Sequence, residues 1–117
     1  MKKILIILLL SISLVGCSSS SYKTIDQEEA YKAMSLDDSI VVIDVRTEEE
    51  YNEEHIVDAI NIPLDNIESI DLDKNTTIYV YCQSGNRSKE AAQKLNELGY
   101  SNVYDMGGIN TWSYETE

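Results

Sequence analysis

The run Cys82-Gln83-Ser84-Gly85-Asn86-Arg87-Ser88 combines residue types that suit nucleophilic sulfur chemistry. Gly85 and Asn86 tolerate left-handed backbone angles, so the loop can curl its N–H groups into a concave nest around the cysteine sulfur. If a helix starts there, its free N–H groups and macrodipole add further attraction for negative charge. Such surroundings favour a thiolate, which makes Cys82 the candidate nucleophile. Gln83, Ser84, Gly85, Asn86, Arg87 and Ser88 are the candidate substrate-binding residues, with Arg87 offering a planar donor fork that fits a sulfonate, sulfite or phosphate. The expected reaction is attack on the outer sulfur of a thiosulfate-like donor. That sulfur stays on Cys82 as a persulfide and passes to a thiophilic acceptor, the loop amides stabilising the charge throughout. The plainer alternative is a cysteine acting as a small buried hydrophobe at a strand end. The glycine, the arginine and the helix start favour the reactive reading.

Other residues that could carry chemistry have duller expected roles. Asp44 and Arg46 close a strand, and an Arg46 to Glu50 ion pair at i, i+4 is expected. His55, the only histidine, lies in a linking segment, and sulfur transfer from an ionised thiolate needs no base, so a structural hydrogen bond is expected of it. Trp112 is expected to pack in the core. Glu48, Glu49, Glu50, Glu53 and Glu54 lack metal-ligand spacing with a turn glycine and read as a solvated helix face, so neither a metal nor another cofactor is expected.

The elements around these residues alternate short β-branched runs with amphipathic stretches, the pattern of an α/β fold with a mainly parallel sheet flanked by helices. Tyr22 to Ile25 is expected as an edge strand, and Asp26 with Glu29 as a capping-box variant opening a helix through Met34. Ile40 to Val45 reads as a continuous apolar strand at the sheet centre. Thr47 and Glu50 form a capping box for a short helix to about Glu53. Ala59 to Ile62 is a short strand closed by Pro63, the only proline, and a short helix follows near Asp65 and Glu68. Thr76 to Tyr81 is a strong strand that delivers Cys82. A helix with Ala91, Ala92, Leu95 and Leu98 on its apolar face follows and stops at Gly99. Asn102 to Met106 is the last strand, and Gly107-Gly108 leads to a turn or helix holding Trp112. Ligand sites in open parallel sheets lie beyond the carboxyl ends of the strands, where Asp44, Cys82 and Gly107-Gly108 converge.

Lys2 and Lys3 precede an apolar run, Ile4 to Val15, that is too short for a bilayer span of roughly 20 residues but suits a secretory signal. It ends at Leu14-Val15-Gly16-Cys17, which resembles the lipobox of bacterial lipoproteins. The resemblance implies cleavage before Cys17 and lipidation of that cysteine. The expected organisation is a signal peptide over 1–16, a lipidated cysteine and flexible linker over 17–22, and one domain over 23–117. A bacterial envelope location follows, with the domain lipid-anchored and facing away from the cytoplasm. Lipidation of Cys17 would leave Cys82 as the sole free thiol. The formal net charge of −12 argues against nucleic acid as a partner.

Taken together, Cys82-x-x-Gly85-x-Arg87-Ser88 resembles the active-site loop of single-domain rhodaneses, a sulfurtransferase family. Further landmarks, in the family's order, are Val41-Val42-Ile43-Asp44-Val45-Arg46 with Glu50-Tyr51, then His55-Ile56 with Ala59-Ile60-Asn61-Ile62-Pro63, then Gly107-Gly108 with Trp112. The match spans about residues 23 to 114 and implies the rhodanese-like fold with a persulfide on Cys82. Glu54 and Asp58 stand where the family usually has glycines, so a different turn is expected around His55-Ile56. The Cys-x4-Arg spacing is one residue shorter than the Cys-x5-Arg loop of cysteine phosphatases, which favours sulfur over phosphate. Three functions follow in order: a sulfurtransferase using small sulfur-containing anions, a persulfide carrier or binding module for a dedicated envelope protein that gives or accepts sulfur through a thiol or persulfide, and a phosphatase or arsenate reductase.

Overall fold

The computed structural model describes residues 21–117. Residues 1–20, which hold the expected signal segment, Cys17 and most of the expected linker, lie outside the described residues. In order, the elements are β1 (Lys23–Thr24), α1 (Gln27–Leu36), β2 (Val41–Asp44), α2 (Glu48–Glu53), β3 (Ile60–Asn61), a 3-10 helix (Leu64–Ser69), β4 (Thr77–Cys82), α3 (Asn86–Glu97), β5 (Asn102–Gly108) and a second 3-10 helix (Ile109–Thr111).

The sheet has five parallel strands in the order β1-β5-β4-β2-β3. The middle position, expected for the Ile40 to Val45 run, belongs instead to β4, with β2 beside it. Both runs are apolar and β-branched, and apolarity alone does not order two interior strands. β4 is the longer of the two and lies between β5 and β2 in the middle of the five, which puts Cys82 at the carboxyl end of the central strand.

Alternation along β2 and β4 sends side chains to opposite faces of the sheet. Ile43, Val45, Ile78, Val80 and Cys82 pack on one face with Ala91, Ala92 and Leu95 of α3. Val42, Tyr79 and Tyr81 pack on the other with Ala30 of α1, Ile56 and Met106. Leu98, expected on the apolar face of α3, is 38% exposed. It caps the helix, and the chain turns away at Gly99. The short helix expected near Asp65 is a 3-10 helix. Asp26 caps α1 by accepting from the Glu28 and Glu29 amides, and the Thr47–Glu50 capping box of α2 is complete.

Around His55-Ile56 the two replaced glycines behave differently. Glu54 has φ −171°, extended backbone open to any residue, whereas Asp58 has φ +71° and takes the left-handed conformation that favours glycine.

Candidate active site

Cys82 ends β4 and pairs with Gly108 of β5. The residue is 1% exposed, and its Sγ accepts the Gly85 N–H at 3.0 Å. Gly85 can turn its amide back three residues because it has φ +104° and caps α3. The chain therefore runs from strand to left-handed turn to helix within three residues, aiming the start of α3 at the sulfur.

Three contacts brace this loop. Ser88 is fully buried, and its hydroxyl donates to the Gly85 carbonyl at 3.2 Å and the Gly107 carbonyl at 3.4 Å. The Asn110 amide donates to the Gln83 carbonyl at 3.2 Å. Gly108 lies so close beneath the loop that a Cβ there would stand 2.3 Å from the Gln83 oxygen and 2.7 Å from the Ser84 Cα. At Gly108 it is the close approach, not the backbone angle, that requires glycine.

The other face of the sheet carries a buried polar network. Asp44 and Tyr81 are register partners, and the Tyr81 hydroxyl donates to Asp44 Oδ2 at 2.8 Å while accepting the Ile56 amide at 3.0 Å. Arg46 forks onto Asp44, with Nε at 3.0 Å from Oδ1 and Nη2 at 2.8 Å from Oδ2. It also donates to the Glu54 carbonyl at 2.6 Å and to Gln83 Oε1 at 3.3 Å. Burial pushes the Tyr81 phenol far above its ordinary pKa, so it stays protonated and serves as a donor. Through Gln83 this network reaches the Cys82 loop.

Arg46 therefore pairs with Asp44, not with Glu50 as the helical spacing predicts, because Glu50 is engaged by Arg87. Nη1 and Nη2 of Arg87 donate to Glu50 Oε1 and Oε2 at 2.8 and 3.2 Å. The hydrogen bond from Arg87 holds the Glu50 carboxyl at about 2, against the opposing effect of desolvation. Sequence spacing does not reveal this pair, whose members are 37 positions apart. His55 stacks on Tyr51 with ring centroids 3.8 Å apart, and its Nδ1 lies 2.9 Å from the Tyr51 carbonyl.

Beside the loop opens a polar cleft of about 350 Å³ lined by Arg46, Glu50, Glu54, Gln83, Asn110 and Trp112, among others. Trp112 both packs against the sheet and walls this cleft. Of the candidate loop residues, Gln83, Ser84 and Asn86 are exposed, Gly85 and Arg87 are half-buried, and Cys82 and Ser88 are buried. Among the described residues no group of three or more His, Cys, Asp or Glu side chains is placed to hold a metal ion.

A thiol held at the end of a central parallel strand, inside a glycine-turned loop that opens a helix, defines an α/β domain built around a single cysteine. The chain belongs to the rhodanese-like domain family, whose model matches residues 26–115. It is 38% identical over 94 residues to the thiosulfate sulfurtransferase GlpE of Coxiella burnetii, covering 78% of this chain and 87% of that one. It is 34% identical over 103 residues to the putative sulfur carrier protein YrkF of Bacillus subtilis, covering 86% of this chain and 56% of the relative. A rhodanese-related protein of Thermoplasma volcanium superposes with a TM-score of 0.72 at 30% identity, covering 82% of this chain and 98% of that structure. The chain spans only 28% of the length of the adenylyltransferase and sulfurtransferase uba4 of Ogataea parapolymorpha, which it also matches.

Proposed function

We propose that this protein is a sulfurtransferase that moves sulfane sulfur through a persulfide on Cys82. The observation that carries this reading is the Gly85 N–H directed at Cys82 Sγ at 3.0 Å within a loop that starts a helix. The thiolate attacks the outer sulfur of thiosulfate, a new S–S bond forms, and the original S–S bond breaks as its electron pair departs on sulfite. Sulfur changes carrier without any external oxidant, and the Cys82 persulfide then gives up its outer sulfur to a thiol or other thiophile. The thiosulfate sulfurtransferase among the relatives supports this donor class.

Incubating the protein with thiosulfate should add one sulfur, about 32 Da, to the intact mass, removed by dithiothreitol as expected for a persulfide on a reactive thiol. The Cys82→Ser variant should gain nothing. An adduct of the same mass on that variant would remove Cys82 from the mechanism.

A second reading, in which the Cys82 persulfide serves one dedicated protein partner, is supported by the acidic charge of −12 and by the sulfur carrier among the relatives. Stoichiometric loading with little thiocyanate formed from thiosulfate and cyanide would favour it. Our reading further places the domain in the bacterial envelope, tethered by lipid on Cys17. Conversion of Cys17 to serine should abolish metabolic labelling with palmitate and release the protein from the membrane fraction.

A further inference from the structure

Arg87 is the only cation in the loop from Cys82 to Ser88, and its guanidinium is already occupied by both oxygens of Glu50. A two-pronged grip of this kind is what an oxyanion donor would need from it. Glu50 is held from its other side as well, because Oε1 accepts the Thr47 amide at 3.0 Å and the Thr47 hydroxyl at 3.1 Å. Arg46, the second cation beside the loop, is taken up by Asp44, the Glu54 carbonyl and Gln83. Arg87 sits in the first turn of α3, the helix whose start is aimed at the Cys82 sulfur. Glu50, Glu53 and Glu54 all line the adjoining cleft.

We infer, on the reading that Cys82 carries sulfane sulfur, that Glu50 is a specificity residue: its carboxylate fills the Arg87 fork in place of a donor oxyanion, so thiosulfate still loads the site but slowly, and organic persulfides, which need no such fork, load it faster. In that transfer the Cys82 thiolate attacks the terminal sulfur of R–S–SH. The new S–S bond forms as the old one breaks, and the electron pair leaves on R–S⁻. The proton remains on the transferred sulfur until solvent takes it, and no oxidant is consumed.

Glu50→Gln tests this, because glutamine keeps an acceptor for the Thr47 amide and hence the helix cap, while giving up the charge that binds Arg87. Persulfide loading of Cys82 is measured with thiosulfate and with ethyl persulfide, whose substituent is uncharged. The variant should load from thiosulfate about tenfold faster than the unaltered protein and from ethyl persulfide within about twofold of it, the discrimination expected of one charge-assisted fork. Equal changes with both donors, in either direction, or no change with either, would overturn the assignment.

A second measurement needs no variant. Sulfate at millimolar concentration should leave alkylation of Cys82 by iodoacetamide unslowed in the unaltered protein, whereas protection there would show the fork to be open and overturn the inference. Failure of the underlying function would appear differently, as unaltered protein that takes up sulfur from neither donor.

Discussion

The Tyr81 hydroxyl donates to Asp44 Oδ2 at 2.8 Å on the sheet face opposite the one that buries Cys82. Adjacent residues of β4 thus serve different ends: Cys82 faces α3, and Tyr81 ties β4 to β2 and, through the Ile56 amide, to the segment after α2. Arg46 extends the tie to the Cys82 loop through Gln83.

Tyr81→Phe should therefore destabilise the domain by about 1–3 kcal/mol, since the Ile56 amide loses its acceptor and Asp44 one of its donors in a buried setting. Thermal melts and denaturant titrations measure this. Sulfur loading per folded molecule should fall far less than stability does, because the lost hydroxyl does not touch Cys82. A loading defect without a stability change would disconnect this network from the fold.

Gly108→Ala acts on the other side of the strand end. The added methyl would meet the Gln83 oxygen at 2.3 Å, the Ser84 Cα at 2.7 Å and Asn110 Oδ1 at 2.6 Å, and the first two are backbone atoms that only a shift of the loop can relieve. The expected stability loss is about 1–3 kcal/mol. Persulfide loading should drop by about 10²-fold, the order of effect that a misplacement of 1 Å can have. Single-turnover loading followed by intact mass reports it, and a full rate would mean that the loop tolerates displacement.

These two cases show which parts of the molecule the sequence exposes. Local signals were readable: the Thr47–Glu50 capping box, the strand delivering Cys82, the glycine-turned loop and the stop at Gly99 each depend on neighbours within a few residues. The convergence of Gly107-Gly108 on the loop followed from the rule that sites gather at the carboxyl ends of parallel strands. Long-range pairing was not readable. Asp44, Arg46, Glu50 and Arg87 offer several charge pairings, and helical spacing favours Arg46 with Glu50. The fold instead places Asp44 beneath Arg46 and carries Arg87 to Glu50, 37 residues away. Only the crossing of β2 beside β4 decides between these arrangements.

The turn after His55 gives a conformational test. Asp58 has φ +71°, a region that costs an ordinary L-residue about 1–2 kcal/mol and an aspartate less. Asp58→Gly relieves that cost while adding freedom to the unfolded chain worth about 0.5–1 kcal/mol. The two nearly cancel, so the variant should melt within a few degrees of the unaltered protein. Asp58→Val relieves nothing and adds a β-branched clash, so it should lose about 1–2 kcal/mol. Equal melting of the glycine and valine variants would show that the turn relaxes out of the left-handed region.

Acid should dissolve the Glu50–Arg87 pair. The Glu50 carboxyl is lowered from 4.5 to about 2, chiefly by its hydrogen bond from Arg87. A depressed carboxylate binds fewer protons in the folded state than in the unfolded one. Its stabilisation is therefore complete above pH 4.5 or so and is lost as the pH falls toward 2. Glu50→Gln lacks this ionisation, so the melting difference between it and the unaltered protein should be constant from pH 7 to about 5 and shrink steadily below that. Because both partners are about one-third exposed, salt should reduce the neutral-pH difference through screening. A melting difference that stays constant down to pH 2.5 would mean that the carboxylate contributes through shape and helix capping alone, and that Arg87 does not depend on its charge.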